Sequence, residues 1–262
     1  MNLGTTAGMG LGMGIDWGIV GPALIAGLLV LSTHVPLGMQ VLRKGIVFID
    51  LAIAQIAGLG VIAADALGWE PQGWAVQASA MSAAMCGALL MTWMERRWPD
   101  IQEALIGALF VLASSGGILL LAGNPHGGEH LKDLLVGQIL WVTPGQLWAM
   151  AGLSAVVLAL WFGLRERLGR VGFYLLFAVA VTASVQLVGV YLVFSSLIMP
   201  ALAVRQAAPR WQLPLAWLGG GVACALGLAL SALLDWPSGA VVVMAMAVIC
   251  IVLAMALART RP

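Results

Sequence analysis

Residues 171–204 read VGFYLLFAVAVTASVQLVGVYLVFSSLIMPALAV, one apolar block. A membrane span takes about 20 residues at 1.5 Å rise, so this block is too long for one helix and holds two. Gly189 is the predicted break, and Pro200 is expected to kink or unwind the segment beyond it. Working outward, the other apolar runs fall at 16–38, 46–68, 74–94, 103–122, 140–164, 212–234 and 238–258. With the block divided into 171–187 and 189–204, the count is about nine spans, or eight if the two are merged. The fold class is an all-α, polytopic transmembrane bundle.

Composition requires the same class. The 262 residues are 62% hydrophobic and 9% charged, with a mean hydropathy of +1.03. Soluble domains carry about 25% charged residues. Too little polar chain remains for a soluble catalytic domain, so the activity lies within the bilayer or at its faces. A net charge of +1 argues against a nucleic-acid partner. Cys86, Cys224 and Cys250 stand singly in apolar runs and read as small hydrophobes rather than a disulfide or zinc framework. Trp17, Trp69, Trp74, Trp93, Trp98, Trp211 and Trp236 lie near run ends, where an indole keeps its N–H among headgroups.

Basic residues set the sidedness. Arg43 and Lys44, Arg96 and Arg97, Arg165, Arg167 and Arg170, Arg205 and Arg210, and Arg259 and Arg261 occupy alternate gaps, leaving only Lys132 on the other side. Such residues are retained in the cytoplasm, which places the N-terminus outside and the C-terminus inside. Residues 1–14 are uncharged and lack the basic start of a signal peptide, so they read as an exterior tail on a single transmembrane domain, 15–262.

Ionisable groups within spans are expensive and mark a pathway or a paired site. His34, Asp50, Gln55 and Glu103 lie roughly 14, 9, 16 and 9 Å from the basic face at helical rise, a zone in which they are expected to meet around a cation. Imidazole and carboxylate suit Zn²⁺, Mn²⁺ or Fe²⁺ in transit, whereas a cysteine set would hold zinc too tightly. The bland alternative is that Asp50 and Glu103 reach interfacial water or pair with Arg43 or Arg97, while His34 satisfies a backbone carbonyl. The exterior loop Asn124–Asp133 holds a second group, His126, Glu129, His130 and Asp133. It is either a metal entry point, with His130 as a ligand, or an ordinary solvated loop. These groups also suit a secondary carrier or channel for metal ions or protons. An intramembrane enzyme ranks lower, because no histidine stands at the depth of Ser114, Ser115, Ser195 or Ser196.

The segment Gly189-Val190-Tyr191-Leu192-Val193-Phe194-Ser195-Ser196-Leu197-Ile198-Met199-Pro200-Ala201-Leu202-Ala203 resembles the Gly-x-Leu-Leu-Val-x-x-x-Leu-Ile-x-Pro-Ala-x-x-Ala signature of the permeases of zinc, manganese and iron ABC importers. The closing alanine falls one position early. Glu103 to Gly107, Leu135 to Leu140 with Val142 to Pro144, and Pro36 to Gly38 with Arg43 are similar to further elements of that family, in order, over about residues 20–258. The resemblance implies a bacterial inner-membrane, multi-pass permease working as a homodimer. Its implied partners are a cytoplasmic ABC ATPase and an extracytoplasmic solute-binding protein. It implies a transported divalent metal, zinc foremost, and no permanently bound cofactor. The chain has no Walker motif, so ATP hydrolysis belongs to the ATPase and this chain is not an enzyme.

Three departures from the family pattern stand out. Where the family's second span carries Asp-x-x-x-His, this chain has Leu51 and Gln55, with Asp50 alongside. Asp50 and Gln55 are about 140° apart on an ideal helix, and His34 is expected to replace the missing imidazole. Gln138 stands where the family has an acidic residue. The inner loop that couples to the ATPase is reduced to Leu164 to Arg170, with Arg165, Glu166, Arg167 and Arg170 as its charged residues.

Overall fold

The computed structural model describes residues 16–69, 73–121, 135 and 137–259. All regular structure among them is helical. The helices are α1 (Trp17–Lys44), α2 (Ile49–Ala66), α3 (Trp74–Arg97), α4 (Gln102–Leu121), α5 (Pro144–Val188), α6 (Val190–Ala203), α7 (Pro209–Leu234) and α8 (Ser238–Arg259), with short 3₁₀ turns at Pro99–Ile101 and Ile139–Trp141. Seven stretches are long and apolar enough to cross a membrane, two of them within α5, and α6 is a shorter apolar helix. The expected rods are present, but several ends move.

Local chemistry explains the ends. The fifth run starts at Pro144 rather than 140 because Thr143 and Gln146 form a reciprocal capping box with proline at the first helical position. Asp16 caps α1 through the Gly18 amide at 2.9 Å. Arg43 and Lys44 lie in the last turn of α1 rather than in a gap, where their charge complements the helix dipole.

The predicted inner loop from Leu164 to Arg170 is corrected. The helix runs on through it and is interrupted only at Gly169, with φ 59° and ψ −159°. Leu-Arg-Glu-Arg-Leu contains good helix formers and no breaker, so the chain stays helical until the glycine, which alone tolerates that φ. The side chains of Arg165 and Glu166 lie outside the described ones. The predicted break at Gly189 is present, with φ 81°. Pro200 is buried within α6, and the helix ends one turn later at Ala203.

α1 packs against α5, α6 and α7; α2 packs against α3 and α4; α8 closes on α6 and α7. The second limb of α5 is central, with 67% of its apolar window buried against 17% for α8. The basic ends of α1, α3 and the second limb of α5 converge. Lys44 Nζ lies 2.9 Å from Glu95 Oε1, and Arg170 Nε lies 3.9 Å from the same oxygen. Three of the basic groups that alternate in sequence therefore share one face of the bundle, the arrangement on which the sidedness argument depends.

Candidate functional site

His34 is fully buried on α1. Its Nδ1 lies 2.8 Å from the Val30 carbonyl, a helical i−4 acceptor, and 3.1 Å from Thr33 Oγ1. A proton on Nδ1 donated to that carbonyl leaves the lone pair on Nε2, which is buried with no partner among the described residues. That nitrogen is free to ligate.

Asp50 stands in the first turn of α2, fully buried, and neither carboxylate oxygen has a hydrogen-bond partner among the described residues. A carboxylate in that position costs several kcal/mol unless something pairs with it. The positive end of the α2 dipole offsets only about 0.3–1 kcal/mol, up to about 2 when partly buried. Gln55, one turn further on, is half-buried and lines a closed cleft of about 10 Å³ with Gly58 of α2, Ser114 and Gly117 of α4, and Val190 at the start of α6. That is room for about one water. In sequence Ser114 is only a serine without a histidine, and nothing in its spacing marks it as facing Gln55.

Glu103 has different work. Its Oε1 accepts a 3.1 Å hydrogen bond from the Phe48 amide, one of the free donors at the start of α2. It caps that helix from α4, and its second oxygen is buried without a partner. The expected consequence is a split: Glu103→Ala lowers stability by about 1 kcal/mol, the usual size of a lost cap, whereas Glu103→Gln, which keeps an acceptor, stays within about 0.5 kcal/mol of the parent. Thermal unfolding of the two purified variants distinguishes this from a carboxylate needed only for charge, for which both would behave alike.

The four sequence-selected residues are distributed over different helix contacts. α1 turns its buried side to α5, α6 and α7, while α2 turns to α3 and α4. Among the described residues, no three His, Cys, Asp or Glu side chains converge as a metal-holding group. His126, Glu129, His130 and Asp133 lie outside the described residues. Arg167 and Arg170 flank the Gly169 break, with both side chains exposed.

Glu95 escapes sequence reading because it precedes Arg96 and Arg97 and looks like a solvated charge. It is instead a hub on the basic face. Lys44, its closest partner, also lies 5.5 and 5.6 Å from the ring centroids of Phe173 and Tyr174. The Tyr174 hydroxyl accepts a hydrogen bond from buried Gln102.

Comparison with known proteins places this geometry. The chain is 29% identical over 244 residues to slr2045, an uncharacterised membrane protein of Synechocystis, covering 85% of each chain. It is 25% identical over 243 residues to MntC, a manganese transport system membrane protein of Halalkalibacterium halodurans, covering 85% of this chain and 82% of that one. Its fold matches a chain of PsaBC from Streptococcus pneumoniae, solved in complex with a Fab, with a TM-score of 0.73 at 20% identity over 91% of both. The profile of the ABC 3 transport family matches residues 17–168 and 159–258, nearly the whole described chain, and the two stretches overlap just before the Gly169 break in α5; the chain belongs to the ABC 3 transport family.

Proposed function

We propose that this chain is the permease subunit of an ATP-driven importer that carries a divalent transition-metal ion across the bacterial cytoplasmic membrane. The observation that carries the reading is Asp50, a carboxylate buried inside a helical bundle with no protein partner among the described residues. Such a group is retained at a stability cost, and a passing cation is the partner that offsets it. Membership of an ABC transport family and the manganese relative support the same direction. Basic ends gathered on one face make that face cytoplasmic.

The choice of metal rests on the donors. The expected preference for zinc rested on imidazole and carboxylate acting together. His34 and Asp50 sit on helices whose main packing partners differ, and the polar residues in the first two turns of α2, Asp50 and Gln55, offer oxygen donors. Hard oxygen donors suit manganese better, so manganese is placed first, with zinc and iron as competitors. His34 is then a second, separate contact along the route.

ATP hydrolysis is assigned to a cytoplasmic partner that seats against the basic turn around the Gly169 break of α5. Delivery is assigned to a solute-binding protein at the opposite face, and the working unit to two copies of this chain. The test is uptake of Mn²⁺, Zn²⁺ and Fe²⁺ into liposomes holding the chain with its co-encoded ATPase. ATP-dependent accumulation, strongest for Mn²⁺, is the expected result. Accumulation without ATP would establish a secondary carrier, and no accumulation of any metal would end the proposal.

A further inference from the structure

A cleft of about 340 Å³ opens between the end of α6 and α8, at the basic end of the bundle. Its walls are apolar: Met199 and Leu202 from α6, Ile251 and Ala254 from α8, with buried Cys250 as part of the floor. Ala254, one turn beyond Cys250, keeps the space between the helices open. The cleft faces outward, since Leu202 is 44% and Ile251 58% exposed. Its mouth is marked by one charge, Arg205, in the turn that follows α6.

That turn is held in place. Arg205 N–H donates to the Leu202 carbonyl and Ala207 N–H to the Val204 carbonyl. The Gln212 side chain donates back to the carbonyls of Arg205 and Ala207, at 3.4 and 3.2 Å. The guanidinium has no ion pair among the described residues, whereas Lys44 and Arg170 on the same face share Glu95. A few residues on, Arg210 and exposed Trp211 begin α7, with the guanidinium 5.9 Å from the ring centroid, a pairing suited to the headgroup layer.

We infer that this cleft is a binding site for an anionic phospholipid of the leaflet at the basic end, its phosphate on Arg205 and an acyl chain between α6 and α8. Charge complementarity selects the occupant. A zwitterionic lipid fills the apolar part equally well, but its phosphate is already countered by its own headgroup cation and pairs less strongly with Arg205. An anionic headgroup pairs with it, as basic pockets between membrane helices generally do. The site lies against α6, the short helix that follows the Gly189 break, so the bound lipid braces that helix from its outer side.

The experiment is native mass spectrometry of the full chain, purified with whatever subunits accompany it and relipidated in vesicles of phosphatidylglycerol, phosphatidylcholine or an equal mixture. The expected result is one tightly retained phosphatidylglycerol per chain, at least tenfold preferred over phosphatidylcholine. Arg205→Gln should abolish the preference, Arg205→Lys should keep most of it, and Ala254→Trp, which fills the cleft and leaves the charge, should abolish retention. Equal retention of both lipids by the parent, or an unchanged preference in Arg205→Gln, would overturn the proposal. So would retention unaffected by Ala254→Trp, which would reduce the effect to charge at the surface. Self-cross-linking through native Cys250 would assign the cleft to a contact between copies instead and also overturn it. None of these readouts depends on transport, so they stand apart from the proposed function.

Discussion

Asp50→Asn is expected to abolish metal uptake while leaving the protein as stable as the parent or more so. The two halves of that result come from one fact, a buried carboxylate with no partner among the described residues. Leaving a buried polar group unsatisfied costs about 1–3 kcal/mol, more when it is charged. Removing the charge forfeits the favourable interaction with the α2 dipole, about 0.3–1 kcal/mol and at most about 2. The desolvation cost is the larger quantity, so the net change favours the neutral variant. For chains of 150–250 residues each kcal/mol moves the midpoint by about 2–4 °C, a shift readily seen in thermal unfolding of the detergent-solubilised protein. Uptake should fall by at least about 100-fold, beyond the 10–100-fold that removing groups behind a metal ligand costs. A fall in midpoint of several degrees would make Asp50 a structural residue, and uptake retained within about twofold would remove it from the path. His34→Ala is expected to reduce uptake less, since a cation passing His34 and then Asp50 keeps its contact with the carboxylate.

The fold was largely legible because membrane burial leaves a strong signal in composition. Charges are scarce within the long apolar runs, so run ends fell close to helix ends, and the apolar block at 171–204 had to break at Gly189. The misplaced ends are those decided by specific hydrogen bonds. Thr143 and Gln146 start α5 later than hydropathy does, and the stretch from Leu164 to Leu168 stays helical because its polar residues are good helix formers. The site was less legible for a related reason. Depth along a helix comes from counting residues, but which neighbour a side chain faces depends on how helices pack. His34 and Asp50 have comparable depths, yet α1 and α2 take different main partners after their short turn, α1 packing chiefly on α5, α6 and α7 and α2 on α3 and α4. The charge on Glu95 looked solvated because its partners, Lys44 and Arg170, lie far away in sequence.

Gly137→Ala is expected to be strongly damaging for a single-methyl substitution, because it combines a left-handed φ with a backbone clash. Gly137 has φ 71°, and a Cβ there would lie 2.2 Å from the Val188 carbonyl carbon, 2.3 Å from its oxygen and 2.4 Å from the Gly189 nitrogen. All three are backbone atoms, so no side-chain rotation relieves the clash. The backbone they belong to is itself fixed, because Gly189 is at φ 81° and its N–H is bonded to the Val185 carbonyl at 2.8 Å. The left-handed conformation alone costs a non-glycine residue about 1–2 kcal/mol, and overpacking adds about 1–3 kcal/mol. A total of at least about 3 kcal/mol is expected, enough to lower both expression and the unfolding midpoint. The strain has one outlet, movement of the 137–141 segment away from the joint between α5 and α6, which would withdraw buried Ile139 from its packing on α1. Gly152→Ala is the control. It lies within a helix with nothing inside 4 Å of the added methyl and should stabilise by about 0.5–1 kcal/mol. If the two variants unfold at the same temperature, Gly137 does not meet the α5–α6 joint as described. If Gly137→Ala alone collapses while Gly152→Ala rises, the signature segment beginning at Gly189 owes its position to a glycine more than 50 residues earlier in the chain.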